Sequence, residues 1–152
     1  LPPEDNEMSA RTQTGFEWPI AKETYDRLVQ ICKETLPFEA CGLLVRKEAS
    51  SIIDCVINIR NVHPSPRSSF DFHPEEWTSA FFDMQKNRQQ LVGFFHSHPT
   101  SAALPSIKDK EGWLPQSGLS YWIVSMTNKE LPLVQPFIIE QDRFVPFPLV
   151  LA

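Results

Sequence analysis

Gly93-Phe94-Phe95-His96-Ser97-His98-Pro99 decides how this chain is read. The run from Leu91 to His96 is apolar and aromatic, which predicts a strand, and Pro99 stops it. Residues two apart in a strand point to the same side, so His96 and His98 present their imidazoles to one point while Ser97 faces away. A single strand histidine is commonly a surface or hydrogen-bonded residue. A His-x-His pair is a stronger candidate for metal binding.

Outward on the C-terminal side, after residues 100–105, comes Ser106-Ile107-Lys108-Asp109 at the start of a predicted short helix that reaches about Trp113. Two histidines and the Asp109 carboxylate would leave one position of a tetrahedral zinc open, as a catalytic site requires. That donor set suits Zn²⁺ without strongly excluding other divalent metals. Ser106-x-x-Asp109 also reads as a variant of the helix capping box. The two readings are compatible, since a fixed first turn would hold the carboxylate in place.

On the N-terminal side, Glu39 stands between Pro37-Phe38 and the apolar run Ala40-Cys41-Gly42-Leu43-Leu44. An acid against a buried run has a raised pKa unless it is partnered. Beside a metal-activated water it would accept the water's proton and hand it to a leaving amine. The other reading is a surface acid at a helix end. Gly42 either gives close backbone approach or marks a strand irregularity.

The remaining elements follow from periodicity. Tyr25, Leu28, Val29, Cys32 and Leu36 recur at helical steps from Ile20 until Pro37 ends the helix. Ala40–Val45 and Ser51–Ile59 read as paired strands, and Asn61–Ser69 as a loop. Pro74-Glu75-Glu76 opens a helix to about Arg88. Leu119–Met126 is a further strand, and Val134–Glu140 with Arg143–Val150 makes a hairpin across Gln141-Asp142. Together these predict one α/β (α+β) domain over residues 16–152 with a single mixed central sheet flanked by helices. Residues 1–15 read as a disordered tail. Met8 is a candidate natural start, with the residues before it then foreign to the protein.

Composition excludes some classes. A net charge of −5 with no Lys/Arg cluster argues against a nucleic-acid binder. No apolar stretch is long enough to cross a bilayer, and the N-terminus lacks the apolar core of a secretory signal, so a cytoplasmic protein is expected. Cys32, Cys41 and Cys55 form no CxxC pair and sit in apolar segments, which reads as reduced structural cysteines. His63 and His73, each before a proline, read as exposed loop histidines. The Asn61–Phe72 loop could border the cleft, since Phe70 and Phe72 are apolar in a polar stretch, but the two are expected to plug the core rather than touch a substrate.

Glu39, then His96-Ser97-His98-Pro99, then six residues, then Ser106-x-x-Asp109, resembles the JAMM metalloproteases of the MPN domain superfamily, whose motif is a glutamate followed at a distance by His-x-His-Pro-x6-Ser-x-x-Asp. Phe38-Glu39-Ala40-Cys41-Gly42-Leu43-Leu44 looks like the acid-bearing strand of bacterial members, and Tyr121-Trp122-Ile123-Val124-Ser125 like their following strand. The resemblance covers about Ile20 to Val150. It implies a cytidine-deaminase-like α/β/α fold around a bent sheet, and one catalytic Zn²⁺ with a bound water. It further implies His96, His98 and Asp109 as ligands, Glu39 as general base and acid, and Ser106 as a donor to the carbonyl oxyanion.

The segment Trp113–Leu119 is short and carries no His/Cys cluster, unlike the chain-selective eukaryotic deubiquitinating members. The DNA-repair-associated branch reads His-Asn-His-Pro-Ser-Gly where this chain reads His-Ser-His-Pro-Thr-Ser. The compact bacterial and archaeal members are the better match. That resemblance implies hydrolysis of an amide or isopeptide bond after the C-terminal Gly-Gly tail of a ubiquitin-like or sulfur-carrier protein, with no nucleic-acid or membrane partner. The alternative is a non-catalytic MPN-type interaction scaffold, although such domains usually lack a ligand and this chain has all of them. Other His-x-His enzymes fit poorly. A metallo-β-lactamase would place Asp-His where Thr100-Ser101 stands, and a zinc deaminase would carry Pro-Cys-x-x-Cys.

Overall fold

The computed structural model describes residues 18–112 and 118–152. The expected tail over residues 1–15 and the greater part of the Trp113–Leu119 segment lie outside the described residues.

The first helix, α1, spans Lys22–Thr35. Its helical spacing becomes a buried stripe of Leu28, Ile31 and Cys32, with Tyr25, Val29 and Leu36 packed beside it. Strand β1 (Cys41–Lys47) follows and pairs antiparallel with both β2 (Ile53–Ile59) and β3 (Gln89–His98). Helix α2 (Pro74–Lys86) lies between β2 and β3 in the chain. His73 caps it, its Nδ1 accepting from the Glu76 amide at 3.2 Å, and Pro74 fills the first turn, where no amide hydrogen is needed.

The short helix α3 (Ile107–Gly112) leads to β4 (Ser120–Ser125), which runs parallel to β3, and then to β5 (Leu133–Glu140) and β6 (Arg143–Pro146). The six strands form one mixed sheet in the order β2-β1-β3-β4-β5-β6. This is the expected architecture. Gln141 and Asp142 make the β5–β6 turn with φ of 50° and 62°, the left-handed geometry that matches the twist of a tight hairpin.

Most strand ends shift by one or two residues from the sequence reading, and two of the differences have a plain cause. β3 continues through His98 because β4 pairs with it as far as His98↔Ser125. β6 ends at Pro146 rather than Val150, since Pro146 and Pro148 cannot donate to a ladder. The chain beyond it pairs with Ile20 instead: the Ile20 amide donates to Val150 O and the Ala152 amide to Ile20 O, both at 2.9 Å. On its other side the same segment pairs with β2, through Ala21 N to Ile53 O and Ile53 N to Pro19 O, both at 2.9 Å.

Helices cover both faces of the sheet. Leu44, Val92, Phe95, Trp122 and Val124 share a core with Leu28, Ile31 and Cys32 of α1. Leu43, Val45 and Phe94 pack with Ala80, Met84 and Trp77 of α2. Each fully buried aliphatic or Phe side chain, such as Leu43, Leu44 or Phe95, contributes about 1.5–3 kcal/mol. Gly42 resolves as close approach: a Cβ there would lie 2.1 Å from Ile57 O and 2.5 Å from the Phe95 ring, and the register shifts of β1 fall further on, between Leu44 and Arg46. Among the described residues no helix is long and apolar enough to cross a membrane.

Candidate active site

β3 carries His96 and His98 side by side at its C-terminal end, both buried. The β1–β3 register runs Gly42↔Phe95, Cys41↔His96. Continued for two steps it sets Ala40 against Ser97 and Glu39 against His98. The Ser97 amide does donate to Ala40 O, at 3.0 Å. Glu39 is thus brought to the histidines by strand pairing, and it is only 6% exposed.

Asp109 arrives from α3. The Ser106 amide donates to its Oδ2 at 2.8 Å, and the Asp109 amide donates to Ser106 Oγ at 3.0 Å. This is a reciprocal capping box with Asp in the third position. It aims the carboxylate at the pair: Oδ1 lies 3.1 Å from His96 Nε2, and Oδ2 lies 3.1 Å from His98 Nε2. The two Nε2 atoms are themselves 3.1 Å apart. Four of the five residues expected from the sequence therefore converge in buried positions. Ser106 stands exposed at the rim.

The donor set fits a zinc ion. Donors about 2.0–2.1 Å from one tetrahedral zinc sit roughly 3.3 Å from each other, close to the separations of 3.1 Å here. His98 gives a second argument. Its Nδ1 lies 2.7 Å from Ala102 O, and a carbonyl only accepts, so Nδ1 carries the hydrogen. In the neutral ring the Nε2 lone pair then faces a carboxylate oxygen. Two acceptors face each other unless a proton or a cation lies between them, and orientation by a backbone carbonyl is typical of metal-binding histidines.

The electrostatics are those of a buried cluster. Burial pushes Glu39 up to about 7; His98 pulls it down, Asp109 up and Lys108 down by smaller amounts. Burial also opposes ionisation of Asp109, but hydrogen bonds from both histidines outweigh it and hold the carboxyl well below its usual range. His96 is lowered, burial exceeding the help from Asp109. For His98 the order reverses: burial is outweighed by hydrogen bonds to Asp109 and Ala102, and its pKa is raised.

Several contributors were not apparent in the sequence. Phe70 stacks on the His96 ring, with centroids 4.7 Å apart and planes at 26°. Phe72 does plug the core, against Trp77 and Phe94, as expected. The two phenylalanines thus divide the work, and an apolar residue in a polar loop was the one signal available for both. Lys108 Nζ donates to Ser69 Oγ at 3.0 Å, joining α3 to the Asn61–Phe72 loop. His63 and His73 stay outside the site. They are half-buried rather than exposed, each accepting a backbone amide at Nδ1 to close a local turn. The cysteines are free, and burial pushes the Cys32 and Cys41 thiols up to about 12, which disfavours the thiolate that a nucleophile needs.

The family model described as prokaryotic homologs of the JAB domain matches residues 21–134. The desampylase of Pyrococcus furiosus is 31% identical over 131 residues, 80% of this chain and 91% of that protein. A probable TtuB-protein conjugate cleaving protease of Thermus thermophilus is 33% identical over 73 residues, 48% of this chain and 47% of that protein. Among solved structures, a Desulfitobacterium hafniense protein superposes with a TM-score of 0.77 at 31% identity, covering 88% of this chain and 92% of its own. A JAB1/MPN domain protein from Archaeoglobus fulgidus shares the fold, with a TM-score of 0.59 at 16% identity over 91% of this chain and 100% of its own.

Proposed function

The chain belongs to the prokaryotic homologues of the JAB domain, and from that membership we propose that it is a zinc-dependent isopeptidase. Its substrate is a ubiquitin-like or sulfur-carrier protein, cut after the C-terminal Gly-Gly tail to release an attached amino acid or peptide. The observation that carries the chemistry is the convergence of His96 Nε2, His98 Nε2 and Asp109 in one buried cluster beside Glu39. The substrate class draws its support from the relatives, one of them named for cleaving protein conjugates. Three free cysteines suit a reducing cytoplasm, which is the compartment we infer.

In this reading His96, His98 and Asp109 hold one Zn²⁺. A zinc ion there would polarise the scissile carbonyl and make water a better nucleophile at neutral pH. Glu39 accepts a proton from the attacking water and delivers it to the amine as the C–N bond breaks. A carboxyl can do both when its surroundings bring its two forms close in energy, and burial moves Glu39 in that direction. Ser106 Oγ accepts the Asp109 amide hydrogen through a lone pair, so its own O–H is available to the carbonyl oxygen as negative charge grows there.

The test combines metal content with cleavage. Purified protein should hold one zinc per chain after exposure to zinc and dialysis. It should release the adduct from at least one of a panel of ubiquitin-like carriers bearing C-terminal adducts, followed by intact mass, and a chelator should stop it. Protein that takes up no zinc would leave a binding scaffold in its place.

A further inference from the structure

Glu39 precedes the first paired residue of β1, so the regular ladder does not fix it. A proton-transfer group must nevertheless be held to a fraction of an ångström, since a misplacement of about 1 Å can cost 10²-fold in rate. We infer that Ser97 and Asn61 are positioning residues that hold Glu39 against the histidine pair, an inference that rests on Glu39 being the proton-transfer group.

The peptide unit between Glu39 and Ala40 is tied at both its N–H and its C=O by side chains from other elements. The Ala40 amide donates to Ser97 Oγ at 2.8 Å, and the Ser97 amide donates to Ala40 O at 3.0 Å. In a regular hydrogen-bonded antiparallel pair, two residues exchange both backbone bonds. Here one of the two is made by the serine hydroxyl, which extends the pairing where β1 departs from the ladder. Ser97 is fully buried and lies between His96 and His98. Any shift of Glu39 relative to the histidines therefore strains a contact on the histidine strand itself.

Asn61 holds the carbonyl end of the same peptide unit. Its Nδ2 donates to Glu39 O at 3.0 Å and to Ser69 O at 2.9 Å, while its Oδ1 accepts the His63 amide at 3.0 Å and the Asp71 amide at 3.1 Å. All four hydrogen-bonding positions of the side-chain amide are used, so only one orientation satisfies them. The Glu39 amide completes the clamp by donating to Pro66 O at 2.8 Å. Asn61 thereby binds Glu39 to the loop that also brings Phe70 onto His96.

Three variants of the full chain test this. Ser97→Ala removes the hydroxyl and Ser97→Thr restores it. Asn61→Asp keeps the acceptor that orders the loop and removes both donations. The kinetic probe is a purified bacterial sulfur carrier bearing one amino acid after its terminal Gly-Gly. With zinc-loaded enzyme, Ser97→Ala and Asn61→Asp should lower kcat ten- to a hundred-fold with KM within about two-fold of wild type, and Ser97→Thr should recover most of kcat. Independently of activity, amide hydrogen exchange at Ala40 should speed at least ten-fold in Ser97→Ala, with Trp122 and Ile123 in β4 unchanged. Unchanged kcat, a loss confined to KM, or exchange that rises throughout β4 would overturn the assignment. If wild type cleaves no carrier, the isopeptidase reading fails by itself. The exchange data then decide the clamp, and unaltered Ala40 protection in Ser97→Ala overturns it.

Discussion

The Ser106 amide is bound to the Asp109 carboxylate at 2.8 Å while the Asp109 amide is bound to the Ser106 hydroxyl at 3.0 Å. The serine therefore caps a helix whether or not it also serves a reaction. Glycine at such a cap costs only a few tenths of a kcal/mol relative to serine, whereas loss of an oxyanion donor lowers kcat by about 10²–10³. Ser106→Gly is expected to melt within about 2 °C of wild type and to lose activity on the larger scale. Equal activity at equal stability would restrict Ser106 to capping.

Zinc should stabilise the fold by binding the native state alone. At a free concentration a hundred times Kd the gain is about 2.7 kcal/mol. Thermal melts with and without zinc should show it for wild type and lose it in Asp109→Ala, which removes a donor set against both histidines. An identical zinc-dependent rise in Asp109→Ala would place the ion elsewhere.

Glu39→Gln is expected to keep zinc and to lose cleavage by about 10²–10⁴. The metal-free protein gives a separate test. Burial raises the Glu39 pKa from 4.5 to about 7, so between those values the native state holds a proton that the unfolded state has released. Stability then falls as pH rises through that window. Glutamine escapes this, and the advantage of Glu39→Gln should grow from nearly nothing below pH 4.5 to about 3 kcal/mol above pH 7. Urea denaturation across that range checks the sign.

Phe70 touches the site through His96, ring on ring at 4.7 Å. Contacts of this kind are worth about 0.5–1.5 kcal/mol. Phe70→Leu should therefore weaken zinc affinity two- to about ten-fold, read by competition with a chromophoric chelator. Unaltered affinity would show that strand pairing by itself holds the imidazole.

Gly42→Ala tests the fold. The added methyl meets a backbone carbonyl at 2.1 Å and the Phe95 ring at 2.5 Å. Overpacking of a tight core costs about 1–3 kcal/mol and more where backbone must move. A urea midpoint unchanged from wild type would mean that β1 and β2 separate more easily than their packing indicates.

The elements that carry the site were legible because their signals are local. His96 and His98 share a strand face, Asp109 stands in a helix's first turn, and α1 shows an uninterrupted apolar stripe. Glu39 was marked by an acid touching a buried run, and its burial agrees with that. What could not be read was anything made by two distant segments. Phe70 on His96, Ala102 O on His98 and Asn61 on Glu39 join positions with no shared pattern. The last strand was overextended for a related reason: apolar content over residues 143–150 resembled a strand, while Pro146 and Pro148 had already ended its ladder and Ile20 received the pairing instead.

That pairing at Ile20 bears on how the molecule is made. Residues 150–152 and residue 53 are both hydrogen-bonded to the segment around Ile20, so the seam that joins the segment after β6 to the edge of β2 spans almost the full described sequence. A contact of such long range pays its loop-closure entropy before it returns anything, which slows its formation. On a translating ribosome β2 can pair with β1 early, but the seam must stay open until Ala152 has cleared the exit tunnel. Until then Ile20, fully buried in the finished fold, lacks part of its cover.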